Sequence, residues 1–575
     1  MSENTQPKQA LNVWRLCLIG ALLLLVCGYV FFEMTRLFTD KQEFLQKEGR
    51  ARFVRNVDVP AMRGGIFDRR GVALAVNAPV ASIYIRPNKV DFNEKGTPAN
   101  LTSLAKLLGT SPKALTNKLT KAQKAGRHFI YLHRLVEPSV AKQIKQLKLA
   151  YVGIEEHYQR YYPAAEVVSH VVGFTNIDGK GLAGLEATYD SALTEQIGLQ
   201  TIYQDRERRS IERIRYEKPA MPGKDLHLTL DMRLQYLAYR ELKAAVTAHN
   251  ATSGSLVMLD VATGDILAMA NAPSFNPNDL SQRTGPELRN RAAIDLYEPG
   301  STMKPLTIAA AMASGAYQRD SQVDTSPGRM QLRGGKVSDP RNYGEVPLAE
   351  VIRLSSNVGA SKIALSLESG TVRNLLENLG FGQTTGVGLQ GEQAGSLPYY
   401  GERQELQRAQ MAFGYGLSVT PLQLAAAYLP IAGDGTLPHV KLLKGPDVAK
   451  PKRVIPEQVA IDVRKMMETV VSDTGTARLA KVQGYRAAGK TGTVHVANSG
   501  GYAQDEYVAH FVGLIPATKP KVVMAIVMNQ PGGQEHFGGE VSGPIFARVA
   551  SEAMRLLNVT PDNLESGRVI QVVSR

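Results

Sequence analysis

The sequence predicts an α+β protein behind a single membrane-spanning helix, and three observations carry this expectation. Residues 16–32 hold no charge and lie between Arg15 and Glu33. Strand-like apolar runs stand near both ends of residues 222–575 and enclose long helical patterns, as in a domain with one central, mostly antiparallel sheet flanked by helices. Residues 57–221 instead alternate short strand-like runs with Leu/Lys-rich helical stretches, which reads as a separate, elongated α+β domain. The 575 residues also exceed what one core organises.

Taken in order, residues 1–15 are a short tail carrying Lys8 and Arg15. At about 1.5 Å per residue the run 16–32 covers roughly 25 Å, and its neighbours extend it to the width of a hydrocarbon core. Its exit, Tyr29-Val-Phe-Phe-Glu-Met34, offers no small-residue cleavage site. This favours an uncleaved anchor over a signal peptide. Positive-inside logic places the tail in the cytoplasm and the rest outside, in a single-pass topology. Residues 33–56 form a connector of mixed charge and helical character. In residues 57–221, Ala81-Ser-Ile-Tyr-Ile85 reads as a strand, and 101–108 and 140–149 read as helices with solvated lysine faces. The run Asp205-Arg-Glu-Arg-Arg209 reads as a solvated face, and Pro219-Ala-Met-Pro-Gly223 as a boundary. Beyond it, 255–260 and 265–270 joined through Ala262-Thr-Gly264 predict a β-hairpin. Residues 508–515 and 521–528 predict a second strand pair, and 422–431 and 459–470 predict helices.

A hydrophobic content of 43% and a charged content of 21% exclude a disordered chain. The only cysteines, Cys17 and Cys27, both lie in the apolar run, so residues 28–575 hold neither disulfides nor a cysteine metal site. No H-E-x-x-H and no phosphate-binding loop occurs, and no cofactor or metal is expected. The net charge of +14 suits an anionic membrane surface or a polyanionic wall, and does not by itself exclude nucleic acid.

The remaining chemistry is Ser-x-x-Lys. Residues i and i+3 of a helix share a face, so an amine can take the proton of a serine. Three matches occur: Ser103–Lys106, Ser139–Lys142 and Ser301–Lys304. The first two fall in the Leu/Lys-rich helices and read as surface coincidences. Ser301 follows Glu298-Pro-Gly300, where a breaker gives way to a helix whose free N–H groups suit an oxyanion. Downstream come Ser355-Ser356-Asn357 and then Lys490-Thr-Gly-Thr493, the only Lys-Thr-Gly in the chain. The ordered set S-x-x-K, S-x-N, K-[ST]-G is that of penicillin-recognising serine acyltransferases.

On these motifs the chain resembles the class B penicillin-binding proteins, monofunctional peptidoglycan D,D-transpeptidases, and most of all the cell-division (septal) type of Gram-negative bacteria. Ala412-Phe-Gly-Tyr-Gly-Leu-Ser-Val-Thr-Pro-Leu-Gln423 resembles the same transpeptidase domain. Arg63-Gly-Gly-Ile-Phe-Asp-Arg-Arg-Gly71, Arg160-Tyr-Tyr-Pro163 and Gly181-Leu-Ala-Gly-Leu-Glu186 resemble the family's non-catalytic pedestal. Arg70 departs from the usual Asn of that turn, which is not catalytic. The resemblance implies a pedestal over 57–221, a transpeptidase domain over 222–575 and the bacterial inner membrane with a periplasmic catalytic domain. It also implies peptidoglycan stem peptides and β-lactams as ligands, and a polytopic membrane glycosyltransferase and other division proteins as partners. Nucleic acid is not expected.

The resemblance further implies Ser301 as nucleophile, Lys304 as base, Ser355 as proton relay to the departing D-alanine and Asn357 as a holder of the peptide amide. For Lys304 to act as a free amine its ordinary pKa of ~10.4 has to fall by about 3 units, which burial beside Lys490 can bring about. Lys490 would supply positive potential, Thr491 and Thr493 hydroxyls for a carboxylate, and Gly492 a close backbone approach. Ser356 joins the set through its motif. His536 stands where septal relatives often carry an aromatic that, with Phe537, walls the pocket for the β-lactam side chain. An imidazole there brings a group that changes charge between about pH 5 and 8. Arg63, Asp68 and Glu186 read as an inter-domain polar network. Competing readings are an elongation-specific or accessory transpeptidase, a membrane β-lactam receptor, an inactive division protein, and a β-lactamase or carboxypeptidase. The short tail argues against the receptor, and the intact motifs argue against the inactive protein.

Overall fold

In a computed structural model the two apolar runs 255–260 and 265–270 pair as the predicted hairpin, β1 (Ser253–Asp260) and β2 (Ile266–Ala272). Every residue of both strands is buried, because helices cover both faces of the sheet. The late strands β3 (Ala488–Asn498), β4 (Gly501–Ile515) and β5 (Val522–Asn529) complete it in the order β2-β1-β5-β4-β3, antiparallel throughout. Thus β3, which carries Lys490, is an edge strand. The structure describes residues 13–39, 41–44, 47–48, 54–59, 61–204, 210–445, 450–498 and 501–563. Most of the tail, residues 40, 45–46 and 49–53 of the connector, and the 205–209 charge run lie outside the described residues.

Two compact units are formed. One comprises residues 1–61 and 195–222. In it the helix Val13–Thr39 extends the apolar run at both ends, has no buried residue and is long and apolar enough to cross a membrane. The same unit holds a three-stranded antiparallel sheet, Val54–Val59, Gly198–Gln204 and Ser210–Lys218 in that order. Its first strand starts at Val54, within the stretch read as connector.

The other unit comprises residues 62–194 and 223–575. Its N-terminal part is built on the strand Ala73–Ile85, flanked by Ile130–Val136 and Val152–Tyr161. A core of its own gathers Ile83, Leu104, Leu119 and Ile144. The helices Thr97–Leu107 and Pro138–Gln146 present Ser103, Lys106, Ser139 and Lys142 to solvent. In the C-terminal part the sheet packs against α1 (Met232–Ala248) and α5 (Gly543–Leu556). The helix α2 (Lys304–Ala313) is buried from Lys304 to Ala311, as a core helix apolar all round should be. Further helices are α3 (Asn357–Ser366) and α4 (Glu457–Glu468). The helix expected over 422–431 is two short ones, Pro421–Ala427 and Leu429–Ala432. Pro430 lacks the amide that a continuous helix needs.

Of the three residues read as an inter-domain polar network, only Asp68 joins residues 62–194 to the C-terminal part. The described partners of Arg63 and Glu186 all lie within residues 62–194, so theirs is a network internal to that part. Asp68 accepts from the backbone N–H groups of Arg70 (2.7 Å) and Val72 (2.8 Å), and with its other oxygen from Met232 at the start of α1 (3.0 Å). Glu186, fully buried, takes Arg63 Nε at 2.8 Å and Arg160 Nε at 2.6 Å. Breaking a buried ion pair from one side costs about 3–5 kcal/mol. Glu186→Ala should therefore lower the free energy of unfolding by about 3–5 kcal/mol and with it the denaturation midpoint, leaving penicillin acylation below the transition unchanged. An unshifted midpoint would show that the two arginines find other partners.

Candidate active site

Ser301 sits in a short 3-10 turn, Gly300–Met303, that runs into α2. The turn exists because Gly300 adopts φ +52, and because a Cβ on Gly414 would lie 2.1 Å from the Gly300 carbonyl. Both positions therefore require glycine. Tyr428 Oη donates to the Thr302 carbonyl (2.5 Å) from within the core and pins the turn from below.

One turn of helix brings Lys304 Nζ to 2.9 Å from Ser301 Oγ. Its other neighbours are the Ser355 carbonyl (2.5 Å), Ser355 Oγ (3.0 Å) and Asn357 Oδ1 (2.8 Å). None of these is a carboxylate. The carbonyl and the amide oxygen can only accept, so if the amine is neutral its two protons go to them. The lone pair is then free for the Ser301 hydroxyl. Burial drives the Lys304 pKa well below the ordinary lysine value, the Lys490 charge pushes it the same way, and Asp339 opposes both. Lys490 reaches the same point from β3, its Nζ 3.0 Å from Ser355 Oγ and 3.1 Å from the Thr491 carbonyl. Burial lowers its pKa to about 7. Ser355 Oγ thus bridges two fully buried amines.

Ser355 itself has φ +59, a conformation costly for a non-glycine residue unless its surroundings hold it. The clamp is Asp339, which takes Ser356 Oγ (2.5 Å) on one oxygen, and the N–H groups of Asn357 (2.5 Å) and Val358 (3.1 Å) on the other. Sequence reasoning missed Asp339. Its one signal was Asp339-Pro340, a turn-initiating pair. Asn357 Nδ2 donates to the Ser338 carbonyl (3.3 Å), which turns Oδ1 toward Lys304.

The structure therefore brings Ser301, Lys304, Ser355, Asn357 and Lys490 together. Ser356 stays outside that cluster; it is fully buried and caps α3 by accepting from Gly359 N at 2.8 Å. Thr491 Oγ1 lies 3.2 Å from Thr476 Oγ1, and Thr493 Oγ1 accepts from Gly538 N at 3.0 Å. Gly492 leaves room for the His510 ring, since a Cβ there would lie 1.9 Å from Nε2. His536 and Phe537 precede Gly538, which is tied to the Lys-Thr-Gly strand through Thr493. The His536 ring stacks on Tyr507 at 4.3 Å and tilts against Phe537 at 4.4 Å, and Phe537 is 55% exposed.

Residues 254–551 match the family described as the penicillin binding protein transpeptidase domain, and residues 58–228 the penicillin-binding protein dimerisation domain. The chain is 38% identical over 555 residues to the peptidoglycan D,D-transpeptidase FtsI of Escherichia coli K12, covering 96% of this chain and 94% of that one. It is 34% identical to the probable peptidoglycan D,D-transpeptidase PbpC of Pseudomonas aeruginosa, over 97% and 98%. The crystal structure of penicillin binding protein 3 from Mycobacterium tuberculosis complexed with aztreonam superposes with a TM-score of 0.67 at 27% identity, over 88% of this chain and 98% of that one.

A free amine at Lys304 and a charged ammonium at Lys490 can coexist only within a window of pH. The apparent second-order rate of acylation by a labelled penicillin, which reports the free protein, should be bell-shaped. It should fall above about pH 7 as Lys490 loses its charge, and fall again in acid as Lys304 takes a proton. A rate that climbs steadily to pH 9 would contradict this division of labour.

Proposed function

Since the chain belongs to the class B penicillin-binding proteins and is a serine-type peptidoglycan D,D-transpeptidase, we propose that it cross-links stem peptides in the septal wall through an acyl-enzyme on Ser301. Lys304 removes the Ser301 proton as Oγ attacks the carbonyl between the two terminal D-alanines. The tetrahedral oxyanion is held by the backbone N–H groups of Ser301 and Thr493. Ser355, between the two amines, passes a proton to the departing D-alanine nitrogen, and that bond breaks. A second stem peptide's amine then attacks the ester, gives up its proton and frees Ser301. Asn357 holds the donor peptide's amide, while Lys490, Thr491 and Thr493 receive its carboxylate. The stem peptide lies along the open edge of β3. β-Lactams enter by the same route and stay as esters, their side chains against His536 and Phe537. The observation that carries this reading is the 2.9 Å approach of a fully buried lysine to Ser301 Oγ.

The septal role draws support from the FtsI likeness; an accessory role has a precedent in the likeness to PbpC. In this reading the helix Val13–Thr39 crosses the inner membrane with its N-terminus in the cytoplasm. The anchor and the adjoining domain contact a polytopic membrane glycosyltransferase, because a chain without glycosyltransferase chemistry needs nascent glycan beside it.

Labelled penicillin should attach once per chain, and Ser301→Ala should abolish attachment. Ser103→Ala and Ser139→Ala should be silent, since both serines face solvent. A fluorescent fusion should concentrate at midcell in dividing cells. Label surviving Ser301→Ala would defeat the mechanism, and a dispersed sidewall pattern would defeat the septal role.

A further inference from the structure

His510 is a buried titratable group that the chemistry above leaves unused. It lies on β4 directly opposite Gly492 of β3 and is fully buried. Its Nε2 stands 2.7 Å from the carbonyl of Pro299, two residues before the Ser301 hydroxyl, and its Nδ1 stands 3.4 Å from the Val508 carbonyl. The ring meets Tyr297 edge-on at 5.2 Å. We propose that His510 is a positioning residue for the nucleophile, its Nε2–H tying the Pro299-Gly300-Ser301 turn to β4 and, through the pairing of the strands, to β3, which carries the Lys-Thr-Gly motif. This inference rests on the reading of Ser301 as the nucleophile.

Carbonyls only accept, so the nearer one, at 2.7 Å, holds the ring's proton on Nε2. The ring is neutral: burial lowers its pKa to about 4, backbone carbonyls resist that shift, and the Lys490 charge adds to it. A neutral ring donates to the turn without adding a positive charge beside Lys490. Pro299 O also accepts from Thr302 Oγ1 at 2.6 Å, so both lone pairs of that carbonyl are engaged. The turn is thereby held from within by Thr302 and from the sheet by His510. The ring occupies space that a side chain at position 492 would need, because a Cβ on Gly492 would lie 1.9 Å from Nε2. The glycine of the Lys-Thr-Gly motif and the imidazole are therefore fitted to each other, and through them strand β3 sets where Ser301 sits.

The test separates a donor from a space-filler. In the full-length protein in detergent, His510→Leu fills the space without donating, whereas His510→Gln restores an N–H. His510→Leu should slow the first-order acylation step by about tenfold or more, the scale of a displaced reacting group. Reversible binding of the labelled penicillin should be unaffected and the thermal midpoint close to that of the parent, while His510→Gln should recover most of the rate. Equal rates for the two variants, or a loss confined to reversible binding, would overturn the proposal. Nitrogen NMR of histidine-labelled parent protein, with the His510 signal identified by its loss in His510→Gln, should show the Nε2–H tautomer. An Nδ1–H tautomer would overturn the proposal whether or not the variants fold. Ser301→Ala, run in parallel, distinguishes the two levels: label retained there sinks the nucleophile assignment itself, whereas label lost there beside equal His510 variants sinks only this inference.

Discussion

Two lysine side chains buried side by side, with no carboxylate among their hydrogen-bonding neighbours, are the constraint on which the site depends. A charged amine taken out of water is penalised heavily, and two of them repel each other. Under the proposed mechanism this is met by leaving one amine, Lys304, without its third proton. Lys304 finds only acceptors at Ser355 O and Asn357 Oδ1, and a hydroxyl at Ser301. In that mechanism the arrangement that makes the burial tolerable also leaves the amine free to act as a base toward Ser301. Ser355 Oγ lies 3.0 Å from both nitrogens, placed for the proton relay proposed above.

The scaffold serves that constraint. Helix α2 is buried on all sides, which carries Lys304 into the interior. The sheet edge supplies Lys490 from the opposite direction, and Asp339 holds Ser355 in a backbone conformation it would otherwise avoid. Gly300 and Gly414 allow two chain segments to come closer than any side chain would permit. The reacting groups thus come from three separate stretches of chain, each held by partners that take no part in the chemistry.

How much of this was legible follows from how local each signal is. The hairpin β1–β2 and the late strands announced themselves as continuous apolar runs because both faces of the sheet are covered. Ser301, Lys304, Ser355, Asn357 and Lys490 were legible because short motifs hold them at fixed local spacings. Ser356 shares such a motif but spends its hydroxyl on a helix cap, which spacing alone cannot reveal. Asp339 and His510 were not legible. Each acts through contacts with residues distant in sequence, and His510 reads as one more residue of the strand over 508–515. The break at Tyr428 was missed because an apolar run of helical period masks the missing amide of Pro430.

The most direct test of the account is the protonation state of Lys304 in the resting protein. Neutron diffraction, or nitrogen NMR of the lysine amines with Lys304 identified by substitution, can count the protons on Nζ. At pH 8, where an ordinary lysine with a pKa of ~10.4 is charged, the account predicts two protons on Lys304. They point to the Ser355 carbonyl and Asn357 Oδ1, and the lone pair faces Ser301. Three protons on that nitrogen at pH 8 would contradict it.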